Sequence, residues 1–320
     1  MDGGKILIVC LYVDDLIFTG NDESMFRKFK HSMMTEFDMT DLGKMSYFLG
    51  LEVLQRSEGI YVCQRKYAQA VPERFNMNQC NAVHNPIVPR FKMMKDEEGV
   101  AIDNTLYKRI VGSLMYLTAT RPDMMYVINL ISRFMERPTE LHLNAAKRVL
   151  RYLKGTVRFG LFYRKGGKEE LIGYTDSDYV GDQDDRKSTF GYVFMLSSGA
   201  VSWSSKKQPV VTLSTTEAKF IAAASSACQA AWLRRILHST IKLSKNPVMH
   251  GRSKHIDVRF HFLRELTKDA VVELVQCSSR EQVANIMTKP CVSEFEGVIG
   301  CVSAHGYKLI ADSFQFKGGC

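Results

Sequence analysis

The sequence has no C-x-x-C pair and none of the cysteine and histidine spacings that are typical of zinc sites. Its eight cysteines are scattered along the chain, which favours reduced intracellular thiols. It also lacks an apolar run long enough to span a bilayer, because the N-terminal one is broken at Asp14, and it lacks a signal-peptide cleavage pattern. We therefore expect an intracellular protein, cytoplasmic or nuclear, without a membrane anchor.

The composition gives no sign of disorder, since 45% of the residues are hydrophobic and 24% are charged. With 320 residues, the chain is long enough for two domains. Lysine and arginine outnumber aspartate and glutamate by 43 to 34, which gives a formal net charge of +9. That excess favours an anionic partner such as nucleic acid. An acidic membrane surface is the competing interpretation, but no amphipathic basic segment supports it.

Two adjacent carboxylates, Asp14 and Asp15, interrupt an apolar stretch near the N-terminus. The flanking segments 6–11 and 16–18 have the composition of short buried strands, so together they predict a β-hairpin with acid at its tip. Two ionised carboxylates about 4 Å apart repel by roughly 4 kcal/mol at the effective dielectric of a protein. A divalent cation would offset that cost. In the alternative interpretation both are ordinary turn residues that point into water.

The rest of the chain alternates between helical and strand periodicity. The patterns predict helices at 23–37, from Lys66 onwards with Pro72 inside, at 106–118, from Pro122 and at 141–154. They predict strands within 46–64 and 171–214, and a long helix at 214–237. The helix at 141–154 has a basic face, which is either only solvated or a contact for nucleic acid; the face consists of Lys147, Arg148, Arg151 and Lys154.

In their order along the chain these segments resemble the C-terminal part of the Pol polyprotein of copia-type long-terminal-repeat retrotransposons. The resemblance depends on motifs such as "YVDD", "YFLGLEV", "AAKRVLRYLKGT", "GYTDSDYVGD" and "QVANIMTKP". It implies a mixed α/β (α+β) fold, with a truncated reverse-transcriptase palm and thumb followed by a ribonuclease H-like domain. The implied divisions are the reverse-transcriptase part at 1–95, a helical thumb or connection region at 96–165, the ribonuclease H-like domain at 166–290 and an unassigned tail at 291–320.

The resemblance also implies functional residues in the polymerase part. Asp14 and Asp15 match the hairpin carboxylates that bind Mg²⁺ at the polymerase site. Phe48, Leu49 and Gly50 match the segment that holds the primer terminus. The helices between 106 and 154, with the basic face described above, match the region that cradles a duplex. No small-molecule cofactor is expected.

In the ribonuclease H-like part, Asp176 and Glu217 match two of the four carboxylates that bind two metal ions in the family. Glu217 has an alternative role, because Ser214 to Glu217 forms a capping box in which the glutamate bonds back to the start of the helix. Asp178 and Asp182 are expected to serve the turn after the strand instead.

The sequence departs from the family pattern at three points. Few residues precede the hairpin, so we expect the polymerase site, which needs an upstream aspartate, to be incomplete within this chain. No Asp or Glu occurs between Glu217 and Asp257, where the family has a strand with a third carboxylate, so that strand is expected to be deleted. Asn285 replaces the fourth carboxylate and has no charge with which to hold a hard cation.

These departures predict a catalytically inactive fragment that at most binds nucleic acid, either an RNA–DNA hybrid or a duplex. The alternatives are an active magnesium-dependent ribonuclease H and a polymerase fragment that is complemented in trans.

Overall fold

A computed structural model of the chain describes residues 5, 7–13, 15–89, 91–166, 170–242, 273–276, 282–289 and 314–317. These residues form three β-sheets and six α-helices, which confirms the mixed α/β class. None of the helices in this part of the chain has the length and apolar character needed to cross a bilayer.

The N-terminal hairpin is present, with β1 (Leu7–Tyr12) antiparallel to β2 (Asp15–Gly20). Helix α1 (Glu23–Glu36) follows, and its Phe26 and Phe29 rings lie 5.6 and 5.4 Å from the ring of Phe18 on β2. The prediction that both strands are buried is wrong for β1, where all residues but the first are exposed. The reason is that α1 packs against β2, whereas among the described elements only β2 makes extended contact with β1.

A second sheet contains, in spatial order, β3 (Tyr47–Phe48), β4 (Leu51–Gln55), β5 (Gly59–Cys63) and β6 (Gly160–Arg164), all antiparallel. The strands around the turn at 57–59 were predicted, whereas β6 was not. Because β6 pairs with β5, the segments 1–95 and 96–165 share one sheet. The domain boundaries themselves remain predictions.

A helical layer contains the largest apolar core of the described residues. It is formed by α2 (Arg65–Arg74), α3 (Asn104–Leu117), α4 (Met125–Ser132), which follows a 3₁₀ turn at Pro122–Met124, and α5 (Glu140–Gly155). Leu114, Ile131 and Leu150 are fully buried at its centre. The three predicted helices between 106 and 154 are thus confirmed. Pro72 lies in the last turn of α2, which ends two residues later.

The third sheet has the spatial order β10–β11–β7–β8–β9. Strands β7 (Leu171–Ser177), β8 (Thr189–Leu196) and β9 (Gly199–Lys207) form the predicted antiparallel meander, and α6 (Thr215–Lys242) extends beyond the predicted helix. The sequence did not predict β10 (Glu273–Gln276) or β11 (Phe314–Lys317), which comes from the unassigned tail and pairs antiparallel with β7. A 3₁₀ helix at Val283–Met287 also packs against β7 and β8.

Candidate functional site

The candidate site lies at the end of β7, where side chains alternate between the two faces of the sheet. Thr175 faces α6, because its hydroxyl accepts a hydrogen bond from the Ser226 hydroxyl at 2.8 Å. Asp176 faces the segment 282–289 instead and is only 7% exposed. Its Oδ2 accepts a hydrogen bond of 2.6 Å from the Thr288 hydroxyl. The sequence predicted Asp176 as a functional residue but missed Thr288.

The ammonium group of Lys289 links two positions at which the resemblance expects metal ligands. Its Nζ lies 3.5 Å from Asp176 Oδ2 and donates a 3.0 Å hydrogen bond to Asn285 Oδ1. A positively charged side chain, 55% exposed, therefore lies between Asp176 and Asn285 at the surface end of the buried carboxylate. The sequence did not identify Lys289, because only the fold brings it to the end of β7.

Asp178 and Asp182 lie in the loop that follows β7. Asp178 Oδ1 accepts a hydrogen bond from the Thr189 amide across the base of the loop. Burial raises the pKa of Asp178 to about 6, although that hydrogen bond and the nearby Arg133 act in the opposite direction. Asp182 accepts hydrogen bonds from the amides of residues 184 and 185 at 3.0 and 3.2 Å, which confirms its predicted turn role.

Asp182 is also the acceptor of two ion pairs. Lys207 Nζ lies 2.6 Å and Arg133 Nη1 3.1 Å from Asp182 Oδ2. Burial alone would raise the pKa of Asp182, but the Lys207 ammonium and the two loop amides reverse that effect and lower the pKa to about 2. This carboxylate therefore stays ionised and fixes the loop between β7 and β8.

Glu217 has the partners of a helix cap. The Ser214 hydroxyl accepts a hydrogen bond from the Glu217 amide at 3.1 Å, and Glu217 Oε2 accepts one from the Leu213 amide at 2.7 Å. Near it, the buried Gln208 donates hydrogen bonds to the Ser177 hydroxyl and the Ala218 carbonyl, so it joins the end of β7 to the start of α6. The capping alternative thus describes the observed contacts, and the metal role of Glu217 stays a prediction.

The residues at the end of β7 do not fit a hard divalent cation. Asp176 already has a hydroxyl donor and an ammonium group, Asn285 is neutral, and Glu217 caps α6. In the described part of the chain no three histidine, cysteine, aspartate or glutamate side chains converge on a possible metal position. In the polymerase part, Asp15 is exposed at the start of β2, and Asp14 lies outside the described residues.

The segment predicted to hold a primer terminus forms the tight turn between β3 and β4. Leu49 and Gly50 both have left-handed backbone conformations, with φ of +47° and +79°. The Tyr116 hydroxyl donates a 2.7 Å hydrogen bond to the Leu49 carbonyl, and a Cβ added at Gly50 would overlap that hydroxyl. Phe48 lies edge-on to Tyr12, with 6.2 Å between ring centroids, so the turn adjoins the N-terminal hairpin. The primer-binding role stays a prediction.

Three of the four basic residues on α5 bond to the protein backbone. Arg148 and Arg151 donate hydrogen bonds to the carbonyls of residues 85 and 81 at 3.1 and 2.8 Å. Lys154 donates to the carbonyls of residues 78 and 80 at 2.6 and 2.8 Å. These contacts fasten the connector after α2 to α5, whereas Lys147 is exposed. A role in nucleic-acid binding remains a prediction for all four.

The comparisons with known proteins agree with the resemblance. Residues 1–89 match the family model described as reverse transcriptase (RNA-dependent DNA polymerase). The Retrovirus-related Pol polyprotein from transposon TNT 1-94 of Nicotiana tabacum is 39% identical over 311 residues, which is 89% of this chain and 23% of that protein. The chain belongs to the Pol polyproteins of copia-type retrotransposons. The corresponding polyprotein from transposon RE1 of Arabidopsis thaliana is 37% identical over 90% of this chain and 21% of its own length.

This copia-type Pol chain thus spans between a fifth and a quarter of the length of these two polyproteins. A shorter relative, an uncharacterized mitochondrial protein of Arabidopsis thaliana, is 34% identical over 71% of this chain and 94% of its own length. No solved structure matches the chain.

Proposed function

We propose that this Pol chain binds nucleic-acid duplexes, RNA–DNA hybrids among them, and that its ribonuclease H-like part is catalytically inactive. The observation that carries the second half is the position of the Lys289 ammonium between Asp176 and Asn285. Two-metal cleavage needs carboxylates that hold both cations close to the scissile phosphate. Here the ammonium group lies beside the buried Asp176 carboxylate, and the neighbouring amide of Asn285 adds no negative charge.

The binding half is supported by charge and by family membership. The net charge of +9 favours a polyanion, and exposed cations such as Lys147 on α5 offer contacts to phosphates. Phosphate contacts fix position without reading sequence, so we expect binding that depends strongly on salt and weakly on sequence. A salt titration of the affinity for an RNA–DNA hybrid tests this. Affinity that does not change with salt, or no binding at low salt, would contradict it.

The inactivity is tested by cleavage of a labelled RNA–DNA hybrid with magnesium and with manganese. We expect no cleavage by the chain itself and none by Asn285→Asp, because Lys289 remains beside Asp176 in that variant. Lys289→Met removes the ammonium alone, and the double variant Asn285→Asp/Lys289→Met also restores the carboxylate. Comparing the two separates the effect of the ammonium from that of the lost carboxylate. Cleavage by the unmodified chain that Asp176→Asn abolishes would show that the site is active and the proposal wrong.

A further inference from the structure

A cleft lies beside the tight turn between β3 and β4. Its volume is about 370 Å³, and it is lined by Tyr47, Gly50, Glu52, Lys66, Tyr67 and Tyr116. A second cavity of about 410 Å³ shares Tyr47, Glu52 and Lys66 with it, so the two are continuous along β4. Small-ligand sites typically have volumes of about 300–1,000 Å³, and both cavities lie at the lower end of this range.

The first residues of α2 form one end of this cleft and are positively charged. Helix α2 begins with Arg65 and Lys66, both exposed, and has no acidic residue in its first turn. Cations at this end of a helix are opposed by the helix dipole. Glu52 Oε1 accepts a hydrogen bond from the Lys66 amide at 2.7 Å. Among the described residues the Lys66 ammonium has no ion-pair or hydrogen-bond partner, so it is available to an anion.

The other walls of the cleft are aromatic. Tyr47 is 61% exposed and Tyr116 is 43% exposed. Tyr116 is held in place by its hydrogen bond to the Leu49 carbonyl and by edge-on contact with Tyr67, with 4.8 Å between ring centroids. Exposed rings of this kind are the surfaces on which unpaired bases stack, with little dependence on sequence.

We propose that this cleft binds one nucleotide of an unpaired nucleic-acid strand. Its phosphate lies at the Lys66 ammonium, and its base stacks on the exposed ring of Tyr47 or Tyr116. Glu52 holds the amide of Lys66 and leaves its second oxygen to accept a hydrogen bond from a base amino group. This inference rests on the proposed nucleic-acid binding and adds to it a site that distinguishes a strand with an unpaired end from a blunt duplex.

The experiment compares a labelled RNA–DNA hybrid that has a short single-stranded overhang with the same hybrid with blunt ends, both bound to the full chain. We expect the overhang to improve the affinity about fivefold or more, in line with stacking of one base. Lys66→Gln should remove most of this gain and reduce the salt slope of overhang binding by about one. Lys108→Gln is the matched control, because Lys108 is an exposed lysine on α3 that does not line the cleft.

A second pair of variants tests the aromatic wall. Tyr47→Leu should weaken overhang binding about fivefold and leave blunt binding unchanged, while Phe37→Leu, at an exposed ring outside the cleft, should change neither. Equal affinity for the two hybrids, or equal effects of Lys66→Gln and Lys108→Gln, would overturn the cleft while the duplex-binding proposal stands. Failure to bind either hybrid would overturn both.

Discussion

Replacing Asp123 by asparagine should destabilise the protein by about 3–5 kcal/mol, because the substitution leaves a buried guanidinium without its counter-ion. Arg121 is 1% exposed and Asp123 7% exposed. Arg121 Nε and Nη2 donate hydrogen bonds to the two oxygens of Asp123 at 2.9 and 2.7 Å, so the pair is bidentate. Asparagine keeps one acceptor oxygen but loses the negative charge and one of the two acceptors.

The surroundings of this ion pair explain why it cannot relax towards solvent. Arg121 Nη1 donates to the Thr156 carbonyl at 3.0 Å, and the Tyr152 hydroxyl donates to Asp123 Oδ2 at 2.9 Å. The rings of Tyr152 and Phe159 lie 5.7 and 5.3 Å from the guanidinium carbon. The charged groups are thus enclosed by α5 and the residues that follow it, and water cannot replace the lost partner.

The measurement is urea unfolding at neutral pH for Asp123→Asn, Asp123→Leu, Arg121→Met and the double variant Arg121→Met/Asp123→Leu. The double variant should cost less than the sum of its single changes by about 1–3 kcal/mol, because neither charge is then left alone. Asp41→Asn is the control, since the Lys30–Asp41 pair is partly exposed and its loss should cost far less than the loss of the buried pair. A cost under about 1 kcal/mol for Asp123→Asn, or additive effects, would refute the reasoning.

Other substitutions give equally direct outcomes. The lowered pKa of Asp182 means that its stabilisation, roughly 1–2 kcal/mol after solvent screening, is present above about pH 5 and lost as the pH falls towards 2. Unfolding curves of the wild type and Asp182→Asn should therefore converge in acid, and curves that stay parallel would contradict this. Gly50→Ala should cost more than about 1 kcal/mol through its positive φ and the Tyr116 hydroxyl, and Tyr116→Phe should relieve part of that cost in a thermal denaturation series. Lys154→Met should lower the free energy of unfolding by about 1–3 kcal/mol and speed amide hydrogen exchange in the connector that Lys154 holds. Lys147 is exposed, so Lys147→Met should do neither.

Local periodicity predicted most of the elements in the described part of the chain. The meander of β7, β8 and β9 followed by α6, and the three helices between 106 and 154, each have a long regular pattern. Strand β6 was missed because it has five residues and its pairing partner, β5, lies about a hundred residues earlier. Strand β11 was missed for the same reason, since its four residues pair with β7 far away in the sequence.

The roles of charged residues were harder to predict than the elements that bear them. The basic residues of α5 do lie on one face of the helix. However, the carbonyls that Arg148, Arg151 and Lys154 bind belong to a connector some seventy residues earlier in the chain. Tertiary packing, which the sequence pattern does not contain, decides whether such cations are solvated or bonded. The unexpected pKa of Asp178 has the same origin, because it follows from burial.

The Lys289 contacts show why restoring the lost aspartate at position 285 would not by itself recreate a metal site. In the present chain one ammonium serves one carboxylate and one amide. With Asn285→Asp the same ammonium would lie between two carboxylates and be held more strongly, so a cation would have to displace it against both attractions. Removing the ammonium alone leaves Asp176 buried beside a neutral amide, with too little negative charge to hold a divalent ion. Metal binding at the end of β7 therefore requires both changes together, and the double variant Asn285→Asp/Lys289→Met is the one in which magnesium should first raise the unfolding temperature.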